Sequence, residues 1–328
     1  MKILYGIQGT GNGHITRSTQ IISLLQKEHQ VDVLISGQQN KLSYILDVKY
    51  QFKGFDLLLK KSGKINFLKS VKNFDLNQFY KDLKSVDFKE YDLIISDFEP
   101  ITAYGAKMNN VKSIGISNQN FIKKQTNNPF KKLFLNFFSP TDVNISIHFF
   151  QNKLKNVFGP IIDLNFTKNT TEGNFILVYL AHWKLDDIID SFKGIELPDH
   201  ISGFQIFHPE VKSYRFKKNN LVLLPINRTS FVSEIKNCYG VITNSGFSTI
   251  SEALYLNKKI WSIPIENQFE QKFNAKSLSK KGYFVTNKFN KSNFNKWINF
   301  SQPNNQEIQN STNDIIDYIN SILSEEIS

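Results

Sequence analysis

A chain of 328 residues with 40% apolar content is long for one hydrophobic core and predicts two domains of ordinary size. Its formal charge of +11 favours anionic partners: nucleic acid, an acidic membrane face, or phosphate-bearing ligands. Cys238 is the single cysteine, which excludes an internal disulfide and a multi-cysteine metal site and fits a reducing compartment.

The chain opens on Met1-Lys2-Ile3-Leu4-Tyr5-Gly6-Ile7 and turns polar at Gln8, too short an apolar run for a signal peptide. No stretch approaches the roughly 18 to 20 apolar residues of a transmembrane helix. The expected location is the cytoplasm, with a place at the inner face of the cytoplasmic membrane open. Triplets such as Asn165-Phe166-Thr167 then read as chance occurrences of a glycosylation pattern.

Short apolar runs at residues 2–7, 31–36, 91–96, 111–117 and 143–149 suit parallel strands buried on both faces. Between the first two, Ile15, Ile22 and Leu25, flanked by Ile21 and Leu24, form a helical stripe. A second series follows at 174–180, 203–208, 221–225, 239–244 and 259–265, with helical stretches near 185–192 and 250–256. Two such series predict two open, doubly wound α/β sheets. The joint falls at Phe158-Gly159-Pro160-Ile161-Ile162, where Gly-Pro breaks any helix and a polar stretch follows. A last periodic segment, about 313–323, comes after a polar stretch long enough to let it pack elsewhere.

Gly9-Thr10-Gly11-Asn12-Gly13-His14-Ile15-Thr16-Arg17 joins the first strand to the first helix. In an open α/β sheet ligands bind beyond the carboxyl ends of the strands, so this loop faces a candidate site. Glycines there permit positive φ and close approach to a ligand. The loop is neither a dinucleotide fingerprint, since His14 stands where a third glycine is needed, nor a P-loop, since no Lys-Ser/Thr follows. His14 suits a general base; the alternative is a capping or solvated residue. Arg17, one turn on, suits a phosphate or a carboxylate, or is a surface arginine. Asp97-Phe98-Glu99-Pro100 takes the equivalent place after the strand at 91–96. Either Asp97 or Glu99 can orient His14, the alternative being helix capping before Pro100.

The most specific stretch is Val241-Ile242-Thr243-Asn244-Ser245-Gly246-Phe247-Ser248-Thr249-Ile250-Ser251-Glu252, followed by Glu270-Gln271. A strand runs into a Ser-Gly turn and a helix whose first amides, with the Ser248 and Thr249 hydroxyls, can hold phosphate. Glu252 shares a helix face with Ser248, which sets its carboxylate within reach of a ribose. Glu270 and Gln271 suit sugar hydroxyls beyond the diphosphate.

Through the Gly-Thr-Gly-Asn-Gly-His loop, Asp97-Phe98-Glu99-Pro100, Phe158-Gly159-Pro160 and the block at 220–282, nearly the whole chain resembles the inverting GT-B glycosyltransferases. The resemblance is nearest to the group around MurG, the UDP-N-acetylglucosamine transferase of peptidoglycan synthesis, and the UDP-glucuronosyltransferases, with a less characterised bacterial and archaeal branch. It implies an α/β fold of two Rossmann-like doubly wound domains facing across a cleft. The acceptor domain would span 1–160, the donor domain 161–310, and a helix over 311–328 would cross back to the first domain. It implies His14 with Asp97 or Glu99 as catalytic groups, and Gly11, Gly13 and Arg17 beside them at the ligand. Ser245, Gly246, Ser248 and Thr249 would sit at the diphosphate, Glu252 at the ribose, Glu270 and Gln271 at the sugar, and Phe231 at the base or in the core.

The activity so implied is metal-independent, inverting transfer of a hexosyl or N-acetylhexosaminyl group from a nucleotide sugar, UDP-linked by preference, with no cofactor. The acceptor would be a glycan or lipid-linked hydroxyl in cell-envelope synthesis. The donor domain departs from the peptidoglycan enzyme in its first loop, Ala181-His182-Trp183, and carries Ser245 where many relatives have Gly. Gly-x-Gly-His-x-x-Arg at 11–17 also resembles the hydrolase of pseudaminic acid synthesis, so a GT-B-fold hydrolase or 2-epimerase is the alternative. A nucleic-acid-binding protein would leave the glycine loops and Glu252 unexplained. The segments 120–124 and 129–138 interleave lysines with aromatic and aliphatic groups, as either an interfacial anionic-membrane segment or a buried helix with a basic outer face.

Overall fold

The computed structural model describes residues 1–37, 46–54, 74–150, 154–163, 166, 170, 173–217, 220–303 and 308–324. Asn165 and Thr167 of the triplet above lie outside them. The described chain divides into two compact units, one of residues up to 163 together with 309–324, the other of 166–308.

The first unit is built on strands β1 (Lys2–Gln8), β2 (Gln30–Ser36), β3 (Tyr50–Phe52), β4 (Leu93–Asp97), β5 (Ser113–Ser117), β6 (Val143–Ile147) and β7 (Val157–Phe158). All pair parallel, in the order β3-β2-β1-β4-β5-β6-β7. Helix α1 (Asn12–Leu25) follows β1 and buries Ile15, Ile21, Ile22 and Leu25, the expected stripe. Helix α2 (Leu76–Lys84) is capped by Asp75 and α3 (Pro100–Asn109) by Glu99. Helices α4 (Asn118–Gln125) and α5 (Pro129–Phe138) are capped by Ser117 and Asn128. A close approach of α3 to β1 requires Gly6, since a Cβ there would fall 2.1 Å from Thr102 Oγ1. Strand order reverses between β1 and β4, the topological switch at which ligands of such sheets bind.

The second unit has strands β8 (Phe175–Tyr179), β9 (Gly203–Phe207), β10 (Arg215–Lys217), β11 (Leu221–Leu224), β12 (Gly240–Asn244), β13 (Lys259–Ile263) and β14 (Phe284–Val285). Their order is β10-β11-β9-β8-β12-β13-β14, with only the β10–β11 pair antiparallel. Its helices are α6 (Leu185–Ser191), α7 (Arg228–Asn237), α8 (Phe247–Tyr255), α9 (Phe269–Lys280) and α10 (Lys291–Ile298). Trp261 and Trp297, both fully buried, anchor the core with Phe289 and Phe294. Here the order reverses between β8 and β12, so the Ser245-Gly246 turn after β12 stands at the second switch.

Helix α11 (Thr312–Ser324) belongs to the first unit. Tyr318 Oη donates to Asn156 Oδ1 at 2.8 Å, Lys112 Nζ to the Ile322 carbonyl at 3.2 Å, and the Gly159 amide to Ser311 Oγ at 3.0 Å. The expected two parallel-sheet α/β folds are present. Sequence periodicity missed β3, β7, β10 and β14, all of two or three residues, too short to show any period.

Candidate functional site

At the first switch, Ile7 of β1 pairs with Asp97 of β4, so the loop after β1 and the Asp97 carboxyl share one edge of the sheet. Helix α1 starts without a side-chain cap: Gly11 occupies the N-cap in extended conformation, φ −155°. The glycine freedom expected here is therefore not used, and Gly9, Gly11 and Gly13 are absent from the positive-φ residues. What Gly11 supplies is space, because a Cβ there would meet nothing within 4 Å. Gly13 and His14 fall in the first helical turn, where amides point outward unpaired by the helix itself.

His14 is 14% exposed, and its Nδ1 lies 3.0 Å from Asp97 Oδ1. Arg17 grips the same carboxylate as a fork, Nε donating to Oδ2 at 2.8 Å and Nη2 to Oδ1, while Ser18 Oγ donates to Oδ2 at 3.0 Å. Burial would raise the Asp97 pKa, yet the Arg17 charge, with His14 and their hydrogen bonds, outweighs it and holds the carboxyl down at about 2. Asp97 is thus an anion at any working pH. In the tautomer whose Nδ1–H donates to Asp97, His14 Nε2 is the basic nitrogen. Tyr5 lies behind the cluster, its phenol pushed up by burial and by Asp97.

Glu99 is placed differently from Asp97. It is fully buried and accepts from the Ile101 amide at 2.8 Å, the Thr102 amide at 2.6 Å, Thr102 Oγ1 at 2.7 Å and Ser36 Oγ at 2.5 Å. Both its oxygens serve the start of α3, and His14 is not among its partners. Burial pushes its pKa up, and the donors around it work against that. Arg17 is 3% exposed, and its fork meets a carboxylate within the protein, Asp97.

At the second switch, Ser245 is fully buried and bonds through Oγ to Ser262 Oγ of β13 at 2.6 Å, while Asn274 Nδ2 donates to its carbonyl at 3.0 Å. Its hydroxyl fixes the turn and does not point outward. Gly246 is the N-cap of α8, with no side-chain cap and open space where a Cβ would be. Ser248 and Thr249, half-buried, stand on the first turn of the helix. That turn carries no acid of its own, and the positive end of the helix dipole lies there. Glu252, one turn on, is buried and paired with Arg228 Nη2 through Oε1 at 2.8 Å. Arg228 opens α7 and also lies over the Phe166 ring at 5.4 Å.

Glu270 is half-buried at the start of α9. Gln271 is buried, and its Oε1 accepts from the Ile265 amide at 2.9 Å, so it holds the loop between β13 and α9. Phe231 sits in the core, edge-on to Tyr179 and Phe207. Sequence reading missed Ser18 and Arg228. Neither belongs to a motif, and each gains meaning only when the fold brings a carboxylate to it. Among the described residues, no three His, Cys, Asp or Glu side chains cluster as a metal site would need.

The profile described as Glycosyl transferase family 1 matches residues 1–300. Comparison with curated proteins gives no match. Among solved structures the chain is similar to the glycosyltransferase SnogD from Streptomyces nogalater, with a TM-score of 0.56, 11% identity and 91% of each chain covered. It is similar to the glycosyltransferase VinC in complex with dTDP, with a TM-score of 0.55, 10% identity and 91% of each chain covered. It is also similar to Arabidopsis thaliana UGT89C1 complexed with UDP, at 0.57 and 12% identity, covering 93% of this chain and 91% of that one. At such identities the likeness concerns the fold, which is of the GT-B kind.

Proposed function

The chain belongs to glycosyl transferase family 1, and on that premise we propose that it is an inverting transferase that moves a sugar from a nucleotide sugar, UDP-linked by preference, to an acceptor hydroxyl. The observation that carries the reading is His14 braced at Nδ1 by a permanently ionised Asp97 at the first switch.

In the proposed reaction, His14 Nε2 takes the proton of the acceptor hydroxyl. Asp97 keeps the Nδ1–H tautomer and stabilises the imidazolium that forms. The freed oxygen forms its bond to the anomeric carbon from the face opposite the diphosphate, and the bond from that carbon to the diphosphate oxygen breaks. A single displacement inverts the centre. The nucleoside diphosphate leaves with the electron pair, and its growing charge is met by the amides at the start of α8 with Ser248 and Thr249. Glu252 is assigned to the ribose hydroxyls and Glu270 to the sugar. This scheme requires no metal.

The acceptor we assign is a glycan or lipid-linked hydroxyl of envelope synthesis, in keeping with the MurG-like resemblance. The test is incubation with UDP- and dTDP-sugars and candidate acceptors, with product configuration read by NMR. His14→Ala should abolish transfer while leaving donor binding nearly intact. Full activity in that variant would remove His14 as the base, and free sugar formed without acceptor would favour a hydrolase.

A further inference from the structure

Helix α5 throws three large apolar side chains into solvent together. Phe130 is 82% exposed, Leu133 66% and Phe137 73%. Spacings of three and four residues put all three on one face. Single exposed leucines need no explanation, but three large groups on ten residues form a contiguous patch. The helix is tied down on its other sides: Leu135, on the far side, is buried, and on the flank Phe134 packs on Phe138, which stacks on Phe98 at 4.6 Å. The helix is thus held in place with its apolar face outward.

The remainder of the helix and the end of its predecessor are basic. Lys131 and Lys132 are exposed on α5 itself, and Lys123 and Lys124 close the preceding helix α4. Lys123 Nζ donates to Asn144 Oδ1 at 3.3 Å and Lys124 Nζ to the Lys155 carbonyl at 2.9 Å, both neutral acceptors. Among the described residues no carboxylate pairs with any of the four. Burial, with repulsion from Lys124 and Lys132, pushes the Lys123 pKa down, as expected of unneutralised like charges held close.

We propose that α5 is an interfacial anchor that seats the protein on an anionic lipid bilayer, with Phe130, Leu133 and Phe137 entering the acyl boundary and the lysines meeting lipid phosphates. Charge complementarity selects a bilayer over an apolar partner protein, which would leave four lysines uncompensated. Ten residues span about 15 Å, half a hydrocarbon core, so the helix lies along the surface. Among the described residues no helix is long and apolar enough to cross a membrane.

The anchor is also joined to the chemistry. Phe138 stacks on Phe98, the neighbour of Asp97, and Ser139 Oγ lies 3.1 Å from Ser96 Oγ at the end of β4. A bilayer held by α5 therefore lies against the strand end that carries Asp97, and its acceptor would be a hydroxyl on a membrane lipid. This last step rests on the transferase reading; the docking does not.

The test is sedimentation of the full chain with phosphatidylcholine vesicles, with and without phosphatidylglycerol, beside a thermal-shift assay with UDP-sugars. The protein should bind the anionic vesicles at least tenfold more tightly than the neutral ones. Phe130→Ser with Leu133→Ser should cut that binding tenfold or more without changing the melting temperature. Lys131→Glu with Lys132→Glu should cut it about fivefold or more per lysine. Absence of vesicle binding would overturn the anchor, as would equal binding by the apolar double variant. So would a dimer that the double variant abolishes with no lipid binding by the parent. Loss of the UDP-sugar response with vesicle binding retained would count against the transferase reading alone.

Discussion

Arg17 Nη2 lies 2.7 Å from His14 Nδ1, the same nitrogen that stands 3.0 Å from Asp97 Oδ1. One nitrogen cannot donate to a carboxylate and accept from a guanidinium at once. The proton on Nδ1 therefore decides between an Asp97-braced base and an Arg17-bound resting tautomer. Asp97→Asn keeps the shape but removes the charge that stabilises the imidazolium, and kcat should fall on the order of a thousandfold. The same change removes the charge that buried Arg17 grips and should cost about 3–5 kcal/mol of stability. Both are read on one preparation, by turnover and by a denaturant melt; an active, undiminished Asp97→Asn protein would end the dyad assignment.

Arg17→Gln separates the two roles considered for this residue. If the guanidinium serves Asp97, stability drops by about 3 kcal/mol or more, since a buried carboxylate loses its partner, and donor affinity is unchanged. A residue that touched the diphosphate would do the reverse. Calorimetric titration with UDP beside a melt decides it, and a large loss of UDP affinity in a fully stable variant would return Arg17 to the ligand.

How far the sequence reaches is visible in these two residues. The sheets were legible because each long strand is an uninterrupted apolar run, and the switch-point loops because glycines mark them. His14 and Asp97 were legible as a pair because both follow strands that a doubly wound order sets side by side. Glu99 was not separable from Asp97, since both precede Pro100 and only the φ of +52° at Phe98 turns one carboxylate to His14 and the other to the α3 amides. Ser245 looks like a ligand group in one dimension but spends its hydroxyl inside the protein, on Ser262, and Gln271 spends its Oε1 on the Ile265 amide. The α5 helix was undecided between membrane and core because the pattern of Lys and Phe is the same in both; the exposure of Phe130, Leu133 and Phe137 shows only that this face is not core.

Arg228 and Glu252 form a mostly buried pair, with side chains 18% and 5% exposed. Arg228→Met should cost about 3 kcal/mol by removing the cation that meets Glu252 Oε1, and adding Glu252→Gln should recover part of that loss. Glu252→Gln alone should weaken donor binding about tenfold if the carboxylate receives ribose hydroxyls, each such bond to a charged group contributing about 1.5–3 kcal/mol. Additive losses in the double variant, or donor binding untouched by Glu252→Gln, would detach the pair from the site.

Acid should weaken the fold in two adjoining windows. Burial lowers the His148 pKa from 6.5 to about 3, so between those values the unfolded chain binds a proton that the folded one refuses. Stability then falls as pH drops through that window, by up to about 1.4 kcal/mol per pH unit. Asp97, depressed from 3.8 to about 2, adds stability that is present above pH 3.8 and lost as pH falls through about 2. His148→Gln should flatten the first slope and leave the second, measured by urea melts from pH 7 to about 2. An unchanged slope in the variant would mean another group carries it.

Ser248→Asp distinguishes a phosphate-binding helix start from an ordinary one. The first turn of α8 holds no acid and its N-cap, Gly246, no capping side chain. A carboxylate at position 248 would meet the positive end of the helix and should stabilise the isolated protein by about 0.3–1 kcal/mol. In the same place a diphosphate would meet a fixed negative charge and lose a hydroxyl donor. Binding of UDP should therefore fall a hundredfold or more while the melting temperature holds or rises. A structural helix start predicts the gain without the loss, and a damaged fold predicts the loss without the gain. Only the opposed movement of the two readings supports α8 as the phosphate holder, and parallel movement would remove it.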